Sequence, residues 1–196
     1  MNTNSLDCII ASLPYNTSAH KFYGELSVWC RVIYNMVPII TILMVVGLLA
    51  LWLTKNNFHN PHQIKKFVII TTLSLVIGPG LIVNVGLKNH WGRPRPYQVL
   101  RDNKIYKPFY MPSFNNHEDN SFPSGHAAIG FFLGMPLIIL KRKRIGFTVS
   151  IIGGSLIGMV RILQGGHYLS DVIFSGIVVI STTCFLVHIS NKFYKG

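Results

Sequence analysis

The chain has 196 residues, of which 49% are hydrophobic and only 12% charged, and its mean hydropathy is +0.40. This is too apolar and too weakly charged for an ordinary soluble domain. Long runs nearly free of charge point instead to one all-α domain, residues 1–196, built as a polytopic transmembrane helical bundle. Lipid offers backbone groups no partner, so each span must satisfy its own hydrogen bonds as a helix.

The first 31 residues read as a short outer segment. Met1–Asp7 carries no positive region and Cys8–Leu13 is too short for the apolar core of a cleavable signal peptide. Gly24–Arg31 is expected to run along the interface into the first span, with Trp29 and Tyr34 at headgroup depth. Five spans are predicted, at about 32–54, 67–87, 123–140, 145–163 and 170–190, the third reaching spanning length only by starting near Pro123. Asn56–Gln63 makes a tight turn between the first two. Gly78-Pro79-Gly80 interrupts the second at mid-membrane, a break that neighbouring helices can satisfy. Gly153, Gly154 and Gly158 give the fourth span small residues suited to close helix contact. Residues 88–122 form one long outer loop, rich in Arg, Pro, Asn and aromatics, and loops of this length are usually functional or disordered.

The formal net charge of +12 would suit nucleic acid, but its placement argues against that partner. Outside the motifs below, basic residues gather mainly at Lys55/Lys65/Lys66, Lys141–Arg144 and Lys192/Lys195, all on one side of the predicted bundle. Asp7, Glu25, Asp102, Glu118, Asp119 and Asp171 all fall on the other. The positive-inside rule makes the Lys/Arg side cytoplasmic and the long loop external; the same basic residues also suit anionic lipid headgroups. Cys8, Cys30 and Cys184 are an odd count at spacings that fit no metal site or disulfide framework. A Cys8–Cys30 bridge is compatible with the topology but not called for by it.

Polar residues of unusual type cluster at three points on the external face. Lys88 closes the second span and Arg161 the fourth, at a depth where an ionisable side chain usually has a partner or a ligand. Either alone is explained as well by snorkelling to the interface. Gly92-Arg93-Pro94-Arg95-Pro96 weakens that explanation, because prolines fix the backbone around two guanidinium forks suited to bidentate phosphate binding. Phe122-Pro123-Ser124-Gly125-His126 precedes an apolar run, and a helix start with a glycine suits an anion. His126 therefore stands beside a phosphate cradle of Ser124 and Gly125, with a simple helix cap as the plainer reading.

Arg161-Ile-Leu-Gln-Gly-Gly-His167-Tyr-Leu-Ser-Asp171 puts His167 and Asp171 four residues apart, on one face if the helix has begun. A carboxylate that accepts from one imidazole nitrogen fixes the tautomer and frees the other nitrogen for attack. A buried His–Asp bond that only pins two helices is the structural alternative. No metal or other cofactor is expected. The outer acids form no carboxylate cluster, there is no His-x-x-x-His pair, and cationic surroundings attract an anion and repel a divalent ion.

Lys88-x6-Arg95-Pro96, Pro123-Ser124-Gly125-His126 and Arg161-x5-His167-x3-Asp171 together resemble the three-part signature of the type 2 phosphatidic acid phosphatase superfamily. That superfamily takes in lipid phosphate phosphatases, bacterial non-specific acid phosphatases and vanadium haloperoxidases. All three parts occur in order and at the right ends of the spans; Val160 departs from the pattern, where Ser usually precedes the arginine. The flanks, Asn89–Pro96, Asn120–Ala128 and Gln164–Val172, are similar to the bacterial lipid A phosphatases of the inner membrane. The branch that removes the 4′-phosphate is favoured, over about Leu6 to Ser181. Members usually have six spans. The first is expected to be absent here, with Leu6–Tyr23 looking like the outer loop that follows it, either because the start codon is assigned late or because five spans suffice.

The resemblance implies a metal-independent phosphomonoester hydrolase of the bacterial inner membrane with its active site facing the periplasm. His167 would attack phosphorus and form a phosphohistidine, Asp171 would orient and charge it, and His126 would protonate the leaving oxygen and then activate water. Lys88, Arg95, Arg161 and Ser124/Gly125 would bind the non-bridging oxygens. Arg93 lies outside the signature and would contact a headgroup or a second phosphate. The expected partner is a membrane lipid, lipid A first. The alternatives are its 1-phosphate, undecaprenyl diphosphate, phosphatidylglycerol phosphate, phosphatidic acid, and transfer of the phosphate between lipids. A non-enzymatic anion-binding scaffold or channel is a further class, and haloperoxidase chemistry is disfavoured for a site that opens from the bilayer.

Overall fold

The computed structural model describes residues 5–114 and 118–193; Lys195, counted above among the basic residues, lies outside them. The chain begins with a folded cap. Helix α1 (Leu6–Ser12) starts at Ser5, whose hydroxyl accepts from the Cys8 amide at 3.3 Å. A small antiparallel hairpin follows, β1 (Tyr15–Asn16) against β2 (Lys21–Phe22), with Tyr15 opposite Phe22. Asn16 Oδ1 closes its turn by accepting from the Ser18 and Ala19 amides, both at 3.0 Å. The interfacial stretch expected over 24–31 is instead a single turn, α2 (Tyr23–Leu26), joined at Ser27 to the long helix α3 (Val28–Thr54).

Helix α3 has 27 residues, roughly 40 Å at 1.5 Å per residue, ample for about 30 Å of hydrocarbon. It buries only Cys30 and Val37, while Ile39, Leu43, Val46, Leu49 and Leu53 remain exposed. An apolar helix so bare of protein contacts needs lipid as its solvent. After a turn at Lys55–Asn57, Pro61 opens α4 (Pro61–Leu75), which continues as a π-helical segment, Val76–Leu87. Pro79 cannot donate a backbone hydrogen bond, and the chain responds by widening its turns. Asn84 Nδ2 then donates to the Pro79 carbonyl at 2.7 Å.

The outer loop carries one short helix, α5 (Pro96–Leu100), and an aromatic cluster in which Trp91 and Phe174 both pack on Phe122, at 4.8 Å between ring centroids. The stretch predicted as a third span is two shorter helices, α6 (Gly125–Phe132) and α7 (Met135–Ile139), separated at Leu133-Gly134. Pro136 cannot donate into the preceding turn, and Gly134 lies so close to the Gly146 carbonyl that a Cβ would collide with it. Helices α8 (Lys143–Leu163) and α9 (Leu169–Phe193) complete the bundle.

Among the described residues, four helical stretches are long and apolar enough to cross a membrane, Val28–Asn57, Pro61–Leu87, Lys143–Leu163 and Leu169–Lys192, with Gly125–Ile139 a shorter apolar one. The last is the hub. All of α6 except His126 is buried, and a helix apolar all round belongs in a core. Glycines let its backbone meet α8, since a Cβ on Gly130 would sit 2.7 Å from the Gly153 carbonyl and one on Gly154 would strike the Phe131 ring. Because α3 and α4 run in opposite senses, Lys55, Lys65 and Lys66 lie at one end of the bundle. The start of α6, the end of α8 and the start of α9 meet at the other. Cys8, Cys30 and Cys184 are free thiols.

Candidate active site

His167 sits in the loop between α8 and α9, two residues before α9 begins, so it does not share a helical face with Asp171. Its Nδ1 lies 2.6 Å from the Ser121 main-chain carbonyl and 3.5 Å from Asp171 Oδ2. A carbonyl can only accept, so Nδ1 carries the proton and Nε2 the lone pair. The tautomer is held first by a backbone carbonyl and only at longer range by the carboxylate, which corrects the simple His–Asp pair. Burial lowers the His167 pKa to about 3; Asp171 pulls it up, and Arg161 and Arg95 push it further down. The imidazole is neutral at physiological pH and retains its lone pair.

Asp171 is fully buried and already has three donors nearer than His167: Arg93 Nη1, Ser121 Oγ at 2.6 Å and the Tyr168 amide at 2.8 Å. As the third residue of α9 it also lies at the positive end of the helix dipole. Arg93 is 1% exposed, and its guanidinium is taken up by protein groups. Its Nη2 donates to Asp7 Oδ2 at 2.8 Å, its Nη1 to Ser170 Oγ at 2.8 Å, and its Nε to the Lys107 carbonyl at 3.0 Å. The guanidinium also stacks 4.1 Å from the Tyr168 ring. Burial alone would lower the Arg93 pKa, but Asp171 and Asp7 more than offset it. Gly92, at φ +63°, makes the turn that sends this side chain inward.

Lys88, Arg95 and Arg161 are different. Among the described residues none of them forms an ion pair with a carboxylate. Arg95 donates from Nε and Nη2 to Asn120 Oδ1, at 3.2 and 2.6 Å, a neutral partner that aims the fork without cancelling its charge. Arg161 Nη1 donates to Gln164 Oε1 at 2.6 Å, while its Nε is buried with no hydrogen-bond partner among the described residues. Burial, followed by repulsion from Arg95 and Arg161, lowers the Lys88 pKa to about 8, so the three cations share one field.

Packing ties these cations to both imidazoles. Gly166, next to His167, lies against the Arg161 guanidinium so closely that a Cβ would overlap it. The Arg161 guanidinium in turn lies 4.7 Å from the Tyr34 ring. Tyr34 stacks on His126, with centroids 4.4 Å apart and planes 13° from parallel. Gly165 adopts φ +65° with a Cβ position only 2.5 Å from the Phe22 ring, so the cap presses directly on the loop that carries His167.

Ser124 is buried, and its amide donates to the Asp171 carbonyl at 3.3 Å. Its hydroxyl accepts from Ala127, and its carbonyl accepts from Ser175 Oγ at 2.9 Å. That fixes the start of α6 against the start of α9, and the first-turn amides of a helix carry the positive end of its dipole. Gly125 admits Asn84, whose amide oxygen occupies the space a Cβ would need.

Sequence reasoning brought His126, His167, Asp171 and the three cations to one end of the bundle, and the structure groups them there. It missed Ser121 and Asn120, although both adjoin the Ser-Gly-His motif. It read Tyr34 as an interfacial aromatic, and it saw no role for Asp7, for which no local signal exists.

At one end of a helical membrane bundle, a neutral imidazole thus lies beside three cations that have no carboxylate partner among the described residues, and such a field attracts anions. The family model described as the PAP2 superfamily matches residues 67–195, and the chain belongs to that superfamily. It is a phosphatase, a phosphoric monoester hydrolase, embedded in a membrane. It is similar to a lipid A 4'-phosphatase of Francisella tularensis subsp. novicida (strain U112), 36% identical over 91% of this chain and 83% of that protein. A lipid A 4'-phosphatase of Rhizobium leguminosarum is 30% identical over 73% of this chain and 63% of its own length. The bacitracin transport permease protein BcrC of Bacillus licheniformis is 27% identical over 90% of this chain and 81% of that protein. No solved structure matches.

Proposed function

We propose that the protein removes a phosphate from a membrane lipid through a phosphohistidine on His167, with the 4′-phosphate of lipid A as substrate. In this reading the site faces the periplasm from the inner membrane. The observation that carries the chemistry is the 2.6 Å bond from His167 Nδ1 to the Ser121 carbonyl, which leaves Nε2 as a lone-pair nucleophile in a field of uncompensated cations. The lipid A reading rests on relatives with that printed activity, and the periplasmic side rests on the basic turns at the opposite end of the bundle.

The steps follow from the residues. The phosphate dianion settles among Lys88, Arg95, Arg161 and the open amides at the start of α6; the orphaned Arg161 Nε gains an acceptor. The His167 Nε2 lone pair forms the P–N bond while the bond to the sugar oxygen breaks, and that oxygen takes a proton from His126, whose ring gains that proton from solvent as the phosphate dianion binds beside it. Asp171, negative beside the ring, stabilises the positive charge that develops on the imidazole. His126 then takes a proton from water, the hydroxide attacks phosphorus, the P–N bond breaks, and inorganic phosphate leaves. Tyr34 keeps the His126 ring in place for both transfers.

Purified protein given lipid A, analysed by mass spectrometry, tests the substrate: loss of the 4′-phosphate is expected. Release only of the 1-phosphate, or turnover confined to phosphatidic acid or phosphatidylglycerol phosphate, would discard the lipid A 4′ assignment. Released phosphate carrying one oxygen from labelled water would separate hydrolysis from transfer to a second lipid.

A further inference from the structure

The cap places an acid where the hydrolase signature has none. Asp7, in the first turn of α1, accepts from the Ser170 amide at 2.9 Å and Ser170 Oγ at 2.5 Å, 163 positions along the chain, and from Arg93 Nη2 at 2.8 Å. Arg93 carries the contact on to Asp171, and Asp171 Oδ2 lies 3.5 Å from His167 Nδ1. Asp7, Arg93, Asp171 and His167 thus form a row of alternating charge, with the imidazole positive once phosphorylated. The inner two members are buried at 1% and 0% exposure, and the Asp7 side chain is 11% exposed.

Counting charges shows what Asp7 contributes. Arg93 and Asp171 by themselves sum to zero, so an arginine bound to the orienting carboxylate would cancel the field His167 needs. Asp7 restores a net charge of −1 to the cluster and draws the guanidinium toward the cap. Its two bonds to Ser170 also pin the residue beside Asp171 at the start of α9.

We infer that Asp7 is a positioning residue of the phosphatase site, acting through Arg93 and Ser170 to hold Asp171 and keep it effectively negative toward the phosphorylated His167. The inference rests on the proposed His167 chemistry. Because the acid reaches the site from the N-terminal cap, docking of α1 against the loop before α9 completes the active site.

The test is Asp7→Asn in the full chain, which keeps the shape and one acceptor while removing the charge. Phosphate release is measured beside Arg93→Gln, the double variant and His167→Gln. The expected result is a kcat lower by about 10- to 100-fold with KM within about twofold. In the Arg93→Gln background the same change should cost clearly less than it does alone, since the charge path through Arg93 is already cut and only the bonds to Ser170 remain. A purely structural cap would give a KM rise, or a kcat loss matching a loss of folded protein in a thermal melt, and either would overturn the inference. Full kcat in Asp7→Asn with His167→Gln inactive would overturn it and leave the proposed function standing. Turnover in His167→Gln would remove both. Should Arg93→Gln not fold, Ser170→Ala with and without Asp7→Asn supplies the second cycle, and strict additivity there would count against it.

Discussion

Arg93 and Arg95 flank the same proline, yet they serve opposite purposes. Arg93 turns inward, is 1% exposed and is clamped between Asp7 and Asp171. Among the described residues, the Arg95 guanidinium meets the neutral amide of Asn120 and, like Lys88 and Arg161, pairs with no carboxylate. The site is therefore two regions back to back: a closed knot of acids and arginine behind His167, and an open cationic face alongside it. A buried cation with paired carboxylates serves architecture, and one held by neutral partners serves binding.

The sharpest break in that comparison is the ring that joins the two regions. His167→Gln should lower phosphate release by at least about 1000-fold, because it removes the proposed nucleophile. The melting temperature should stay near that of the unchanged protein, and a variant retaining full turnover would end the mechanism.

Next come the two arginines themselves. Arg95→Gln should reduce kcat/KM by about 100- to 1000-fold while changing stability by less than about 1 kcal/mol. Arg93→Gln should behave differently, costing about 3–5 kcal/mol because it strands two carboxylates in the protein interior. Denaturation in detergent, read beside activity, distinguishes the two, and equal stability losses would erase the distinction between the regions.

Lys88 gives the open face a pH signature. Its pKa near 8 reflects burial and the neighbouring arginines, so the free enzyme loses this charge as pH rises through that value. Inhibition by inorganic phosphate should weaken about tenfold between pH 7 and pH 9, and Lys88→Arg should flatten that dependence. A constant inhibition profile would take Lys88 out of the anion site.

The smallest effect is expected at Tyr34, which buttresses the face from α3. Tyr34→Ala should lower kcat by about 3- to 10-fold by releasing the His126 ring, and Tyr34→Phe, which keeps the stack, should stay within about twofold. Equal losses in both would point to the hydroxyl instead.

Helix ends at Lys88 and Arg161 and the Ser-Gly-His start at 124–126 could be located from hydrophobic runs and capping chemistry, and they are where the structure has them. The stretch at 123–140 looked like one span because its residues are apolar throughout; Gly134 and Pro136 divide it, since close contact with Gly146 there outweighs helix continuity. His167 and Asp171 looked like a helical pair because their spacing is four, but the helix begins after the histidine, and a backbone carbonyl takes its proton.

Composition and spacing by themselves determined that this is a membrane bundle with cations and histidines gathered at one end, because hydrophobic length and the type of each polar residue are local properties. Which arginine is locked between carboxylates and which meets only a neutral side chain was decided by tertiary structure. Asp7 lies 86 positions from Arg93 and 163 from Ser170, and only packing of the cap brings their charges within hydrogen-bond reach. Electrostatic pairing depends on distance in space, and the chain's order does not encode it.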